Sequence, residues 1–176
     1  MDTEKFKNAV LAILKAKPGM GSLQLRKALI IADALHKTLH GESITGATYI
    51  KYKYGPVPND EAFLLLMQMS FPLQMVEIIE VPVGQFTQNS YRLLVEPNYD
   101  IFTRSQIDIL NYAALTAYKY TASLLSYMTH MGNEIPLDTV CKMTISGYDT
   151  KSFSEEEKIE VRRFFESDEA RLFEFV

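Results

Sequence analysis

Four side chains suited to proton transfer stand out in the sequence: Asp33 and His36 one helical turn apart, Tyr54 in the run KYKYGPVP, and His130. Histidine and tyrosine both move protons, so a fold that gathered these groups near the Asp33 carboxylate could do acid/base work. The same groups could form a hydrogen-bonded internal network that fixes helices against a turn, and this is the preferred reading. The sequence has no GxSxG nucleophile elbow, no P-loop and no Rossmann glycine fingerprint. Gly19-Met20-Gly21 is too short a glycine signal to cradle a phosphate.

His36 and His40 are four residues apart, the spacing that lets two imidazoles hold one metal from one helix face. Lys37, Thr38 and Leu39 separate them, so the glutamate base of an HExxH site is missing. Histidines near a helix C-terminus more commonly meet the last carbonyls and the dipole, so the expectation is no metal and no cofactor. Cys141 is the single cysteine, which excludes an intrachain disulfide, a CxxC redox pair and a multi-cysteine zinc site; it reads as an inert thiol.

Such groups need a body to position them. The 176 residues have the length of one domain, 47% are apolar, and 18 Lys+Arg against 22 Asp+Glu leave a net charge of -4. No global positive field draws this chain to nucleic acid or anionic lipid. The longest strongly apolar run, Phe63 to Met67, is far too short to cross a membrane, and the N-terminus carries no apolar signal core. A soluble protein of a reducing, cytoplasmic compartment is expected.

Apolar spacing predicts a first helix from Asp2 or Thr3 to Lys17-Pro18-Gly19, and a second capped by Ser22 and ended by Gly41. A connecting segment contains a short β-prone piece, Tyr49 to Tyr54. Pro58 and Asn59 or Asp60 open a third helix, EAFLLLMQM. Met75 to Val81 and Ser90 to Glu96 read as a β-hairpin with a long tip. Thr103 to Gln106 has capping-box spacing before a helix carrying Ile107, Leu110, Ala114 and Tyr118; a further helical stretch runs to Gly132-Asn133, and a second capping box at Ser154 starts a terminal helix. PNYDIFT is a candidate hinge.

The fold class expected is α+β, mainly α-helical: helices packed with one antiparallel β-hairpin, winged-helix-like in order over the N-terminal half. In a DNA-binding winged helix the third helix enters the major groove. Here that helix begins with two carboxylates and has no Lys or Arg, which disfavours nucleic acid. A surface for a protein partner is a better fit. Strand alternation puts Tyr49, Lys51 and Lys53 on one face, and Tyr and basic groups make good interface anchors. The alternative, solvated lysines beside a core Tyr54, stays open.

LRKALIIADALHKTLHGESITGATYIKYKYGPVPND, Leu25 to Asp60, resembles the signature of the Panacea domain, the SocA-like antitoxin family. The positions that carry the likeness are Leu25, Leu29, Ala32-Asp33, His36, Gly41, Ile44-Thr45-Gly46, Tyr49 and Tyr54-Gly55-Pro56-Val57-Pro58, matched without a gap. His130, preceded by Thr129 where the family has Ser, fits the histidine at a later helix end; the chain has no Trp where the family has one.

The resemblance implies an antitoxin, encoded beside diverse toxins and in phages, that neutralises its toxin by direct binding. One relative delivers its toxin to a Clp-type protease instead, and a DNA-binding regulator is the remaining alternative. It also implies that Asp33, His36, Gly46, Tyr54, Gly55, Pro56, Pro58 and His130 are scaffold, with Tyr54 to Pro58 a rigid turn between the second and third helices. On this view residues 1–176 form a single domain without enzymatic activity, with 1–131 the core and 132–176 a divergent extension. Its partner is a protein, and its oligomeric state is open.

Overall fold

The computed structural model describes residues 1–52 and 55–119. Helix α1, Thr3–Ala16, lies at the centre. Asp2 caps it, its carboxylate accepting from the Lys5 N–H at 3.0 Å. Phe6 and every residue from Asn8 to Leu14 are buried, because α2, α3, α4 and the second hairpin all pack against this helix. Each fully buried Leu, Ile or Phe contributes about 1.5–3 kcal/mol. Truncating Leu11 to Ala would remove part of that and leave a cavity, at about 2–5 kcal/mol.

Helix α2 spans Ser22–His40. The sequence points to Ser22 as its cap; in the structure Gly21 takes that place and Ser22 is already helical. Gln24 explains the difference: its side-chain oxygen accepts from the Gly21 N–H at 3.3 Å, half of a capping box that needs no cap side chain. At the other end Gly41, with φ +84°, donates its N–H to the Lys37 carbonyl at 2.8 Å, the left-handed stop expected there.

After α2, where the sequence predicts a β-prone piece and a rigid turn, the structure has a hairpin. Strand β1, Tyr49–Tyr52, pairs antiparallel with β2, Gly55–Pro58, in the register Tyr49↔Pro58, Ile50↔Val57, Lys51↔Pro56, Tyr52↔Gly55. Two prolines in a four-residue strand argue against a strand, yet their positions remove the conflict. The Asn59 N–H bonds the Thr48 carbonyl at 2.8 Å, which makes 48↔59 a bonded pair; by alternation 50↔57 and 52↔55 are bonded and Pro56 and Pro58 fall at non-bonded pairs. Their missing N–H groups are on the edge away from β1, where the ladder does not need them. Among the described residues there are thus two hairpins, not one.

Asn59 caps α3, Asp60–Ser70, accepting from the Ala62 N–H at 3.1 Å. Ala62, Leu65, Leu66 and Met69 are its buried residues, and the helix packs on α1, β2 and β3. The second hairpin, β3 Val76–Val83 and β4 Phe86–Leu93, is longer than expected and its tip shorter. Pairing continues to Val83↔Phe86, leaving Gly84-Gln85 as a two-residue turn; Gly84 at φ +61° supplies the positive dihedral that such a turn needs at its first position. Pro82 sits at a non-bonded pair here too, opposite Thr87. Glu77 faces Arg92 across the ladder as an ion pair. The free edge of β4 is met by the segment before α2: Tyr91 donates its N–H to the Met20 carbonyl at 3.1 Å and the Ser90 hydroxyl donates to the Gly19 carbonyl at 2.7 Å. Gly19-Met20-Gly21 is therefore an edge partner for the hairpin.

The candidate hinge is pinned. The Asn98 N–H donates to Asn8 Oδ1 at 2.8 Å, Asn98 Oδ1 accepts from the Asp100 N–H at 3.0 Å, and Tyr99–Ile101 forms one 3₁₀ turn. Helix α4, Arg104–Lys119, opens with the capping box expected at Thr103: Gln106 donates its N–H to Thr103 Oγ1 at 3.2 Å, and Gln106 Oε1 accepts from the Thr103 N–H at 3.1 Å. It packs along α2 and α1, burying Leu110 and Ala114, while Tyr118 stays exposed with the Lys17 ammonium 5.3 Å from its ring centre. The order of helices and second hairpin is that of a mainly α, α+β fold. The terminal helix expected from Ser154 lies outside the described residues.

Candidate functional site

Helix α2 turns Asp33 and His36 towards the loop Gly41–Thr48, which returns the chain from the end of α2 to β1. Asp33 is buried in the apolar side of its helix, between Ala32 and Leu35, and a carboxylate there must find donors. It finds three. Oδ1 accepts from the Thr45 N–H at 2.8 Å; Oδ2 accepts from the Thr45 hydroxyl at 2.5 Å and from the Tyr49 hydroxyl at 2.6 Å.

Thr45 is the hub of this clasp. Besides its two bonds to Asp33, its hydroxyl oxygen accepts from the Ala47 N–H at 3.1 Å and its carbonyl accepts from the Asp2 N–H at 2.9 Å. One residue thereby ties the start of α1, the middle of α2 and the approach to β1. Gly46 follows at φ +67°, a left-handed dihedral that calls for glycine, while a Cβ there would meet the Met1 Cα at an ordinary 3.4 Å contact. Its N–H donates to Ser43 Oγ at 3.0 Å.

Burial pushes the Asp33 carboxyl above the ordinary carboxylate value, against the opposing pull of the Thr45 and Tyr49 donors and of the Ile44 backbone amide. The Tyr49 phenol is driven well above its ordinary value, first by burial and then by the adjacent Asp33 charge. Tyr49 is therefore a neutral donor at any physiological pH.

His36 makes a second fastening from the same helix. Its Nδ1 lies 2.6 Å from the Glu42 carbonyl oxygen, and because a carbonyl only accepts, Nδ1 carries the proton. The His40 ring stacks obliquely on it, with centroids 4.5 Å apart, and its Nε2 meets Ser105 Oγ at 2.9 Å, joining α2 to the start of α4. The pair thus spends ring nitrogens on Glu42 and Ser105. Among the described residues no three His, Cys, Asp or Glu side chains are grouped to hold a metal ion.

The structure brings together only part of the four-residue cluster proposed from sequence. Asp33 and His36 bond different residues of one loop, and the tyrosine on Asp33 is Tyr49. Tyr54, Lys53 and His130 lie outside the described residues, as does the Lys51 side chain. Gly55, Pro56 and Pro58 form most of β2, with Pro58 buried. Thr45, and Tyr49 as an inward donor, are the residues that sequence reasoning missed. The signal is partial: an Asp inside an apolar helical stripe demands donors, and the chain beyond the Gly41 stop offers the hydroxyls of Ser43, Thr45, Thr48 and Tyr49, among which the sequence does not choose.

Chemically, a buried carboxylate holding three donors is a fastening. Its partners are a backbone amide and two hydroxyls that are themselves positioned by the loop, and the whole set closes on itself.

Residues 25–134, more than half of the chain, match the Panacea-domain family described as antitoxin SocA-like. The chain belongs to this family. The matched span contains the Asp33 clasp, both hairpins, α3 and α4. No curated protein matches the chain with significance. Among the described residues no helix is long and apolar enough to cross a membrane.

Proposed function

We propose that this chain is an antitoxin that neutralises a cognate protein toxin by binding it directly, and that it does so without catalysis. Membership of the SocA-like antitoxin family is the observation that carries this reading. The chemistry of the clasp supports it, because Asp33, Thr45 and Tyr49 are engaged with one another as a bracing network. Tyr49, Lys51 and Lys53, which alternation puts on one strand face, are proposed as the contacts to the partner, Tyr49 being partly exposed while its hydroxyl bonds Asp33.

The test is co-expression. The toxic product of the adjacent reading frame is induced with and without this chain, and growth is followed while the chain is titrated. Neutralisation by binding requires rescue that saturates when chain and toxin are equal in amount. Rescue at a small fraction of the toxin level would indicate a catalytic antidote and sink the proposal.

A further inference from the structure

Helix α3 is apolar on both sides. Its buried residues, Ala62, Leu65, Leu66 and Met69, form one stripe, and at about 100° per residue Phe63, Leu64 and Met67 form a second stripe on the opposite side. All three are exposed, Leu64 by 59%, and the chain beyond the helix adds Phe71 at 78% and Leu73. The turn then leads to Met75, whose carbonyl accepts from the N–H of Leu94, another exposed leucine. A surface helix of a protein that needs only to fold carries polar residues on its outer side, and a contiguous apolar patch marks an interaction site.

Charge identifies what the patch takes. From Asn59 to Gln74 there is no Lys, Arg or His, and the first turn of α3 exposes Asp60 and Glu61. A second copy of this chain would bring the same carboxylates and a net charge of -4. Residues 120–176 of the chain itself hold more Asp and Glu than Lys and Arg, so they too carry the wrong sign. The complement is a different protein with an apolar groove bordered by Lys or Arg, which would take α3 as a helix in a groove.

We infer that the outer face of α3, with Phe63, Leu64, Met67 and Phe71 as anchors and Asp60 and Glu61 at one end, is the surface that seats the toxin, and that the toxin's seat is apolar with a basic rim. This rests on the antitoxin reading above. It separates two tasks within the motif region: the Asp33 clasp sets the position of the β1–β2 hairpin and α3, and α3 makes the apolar contact, apart from the contacts proposed above for Tyr49, Lys51 and Lys53.

The experiment uses the full chain and the purified product of the adjacent toxic reading frame. Wild type, Leu64→Lys, Met67→Lys, the pair Asp60→Asn with Glu61→Gln, and the pair Lys51→Glu with Lys53→Glu are compared by calorimetric titration, after circular dichroism shows each is folded. The expected result is a loss of roughly 30-fold or more for each lysine substitution on α3, and a flatter salt dependence for the neutralised pair. Wild-type binding with the α3 lysine variants within about threefold of it overturns this assignment and leaves the antitoxin reading standing. No binding by wild type overturns the antitoxin reading and this assignment together. Two controls on the free chain also decide against it: a dimer that Leu64→Lys converts to monomer, or a Leu64→Cys thiol in a Cys141→Ser background that resists maleimide, would show that a second copy or the chain itself covers the face.

Discussion

The Tyr49 hydroxyl donates to Asp33 Oδ2 at 2.6 Å, joining the first residue of β1 to the middle of α2 across the whole intervening loop. It shares that oxygen with the Thr45 hydroxyl. The arrangement makes the position of the β1–β2 hairpin, and through Asn59 the start of α3, depend on one buried carboxylate.

Tyr49→Phe removes a hydrogen bond to a buried charged acceptor and leaves the ring in place. The expected loss is about 1–3 kcal/mol of unfolding free energy, read by urea denaturation. A loss within the error of the measurement would mean that the bond is not made in solution.

Thr45 should be more sensitive still, because its hydroxyl both donates to Asp33 and accepts from the Ala47 N–H. Thr45→Val keeps the shape and removes both bonds; it should cost more than Tyr49→Phe. Thr45→Ser keeps both bonds and should recover most of the difference. Equal losses for Val and Ser would assign the effect to packing of the methyl group instead.

Gly46 and Gly41 both have positive φ, but only Gly46 has backbone close to where a Cβ would be. Alanine at either pays the left-handed cost of about 1–2 kcal/mol. Gly46→Ala and Gly41→Ala should cost similar amounts, because a Gly46 Cβ would meet Met1 only at ordinary contact distance, and thermal denaturation of the two variants checks this.

Burial raises the folded-state value of Asp33 above the unfolded value near 3.8, so the folded protein holds that proton more tightly. The stability linked to Asp33 is then greatest below the unfolded value and declines as pH rises through the folded one. Unfolding free energies of wild type and Asp33→Asn, measured from pH 3 upward, should show wild type losing stability relative to the variant across that window. A difference that grows in favour of wild type with rising pH would mean that the three donated bonds outweigh burial.

The helices were legible because each carries its own period and caps: Asp2, Gly41, Asn59 and the Thr103–Gln106 box all act where the residue types point. Gly21 was not, since a glycine cap leaves no side-chain signal and the bond that replaces it comes from Gln24. The β1–β2 hairpin was hidden by Pro56 and Pro58, whose compatibility with a strand depends on which pairs of the ladder are bonded, a matter of register that composition does not contain. Strand alternation placed Tyr49 with Lys51 and Lys53, but it could not reveal that a buried Asp 16 residues earlier, on another element, claims the Tyr49 hydroxyl.

The most direct measurement is size-exclusion chromatography with light scattering on a mixture of the purified chain and the product of the adjacent toxic reading frame. Direct neutralisation predicts a stoichiometric complex, formed at the ratio at which co-expression restores growth. Toxin that elutes unchanged at that ratio contradicts it.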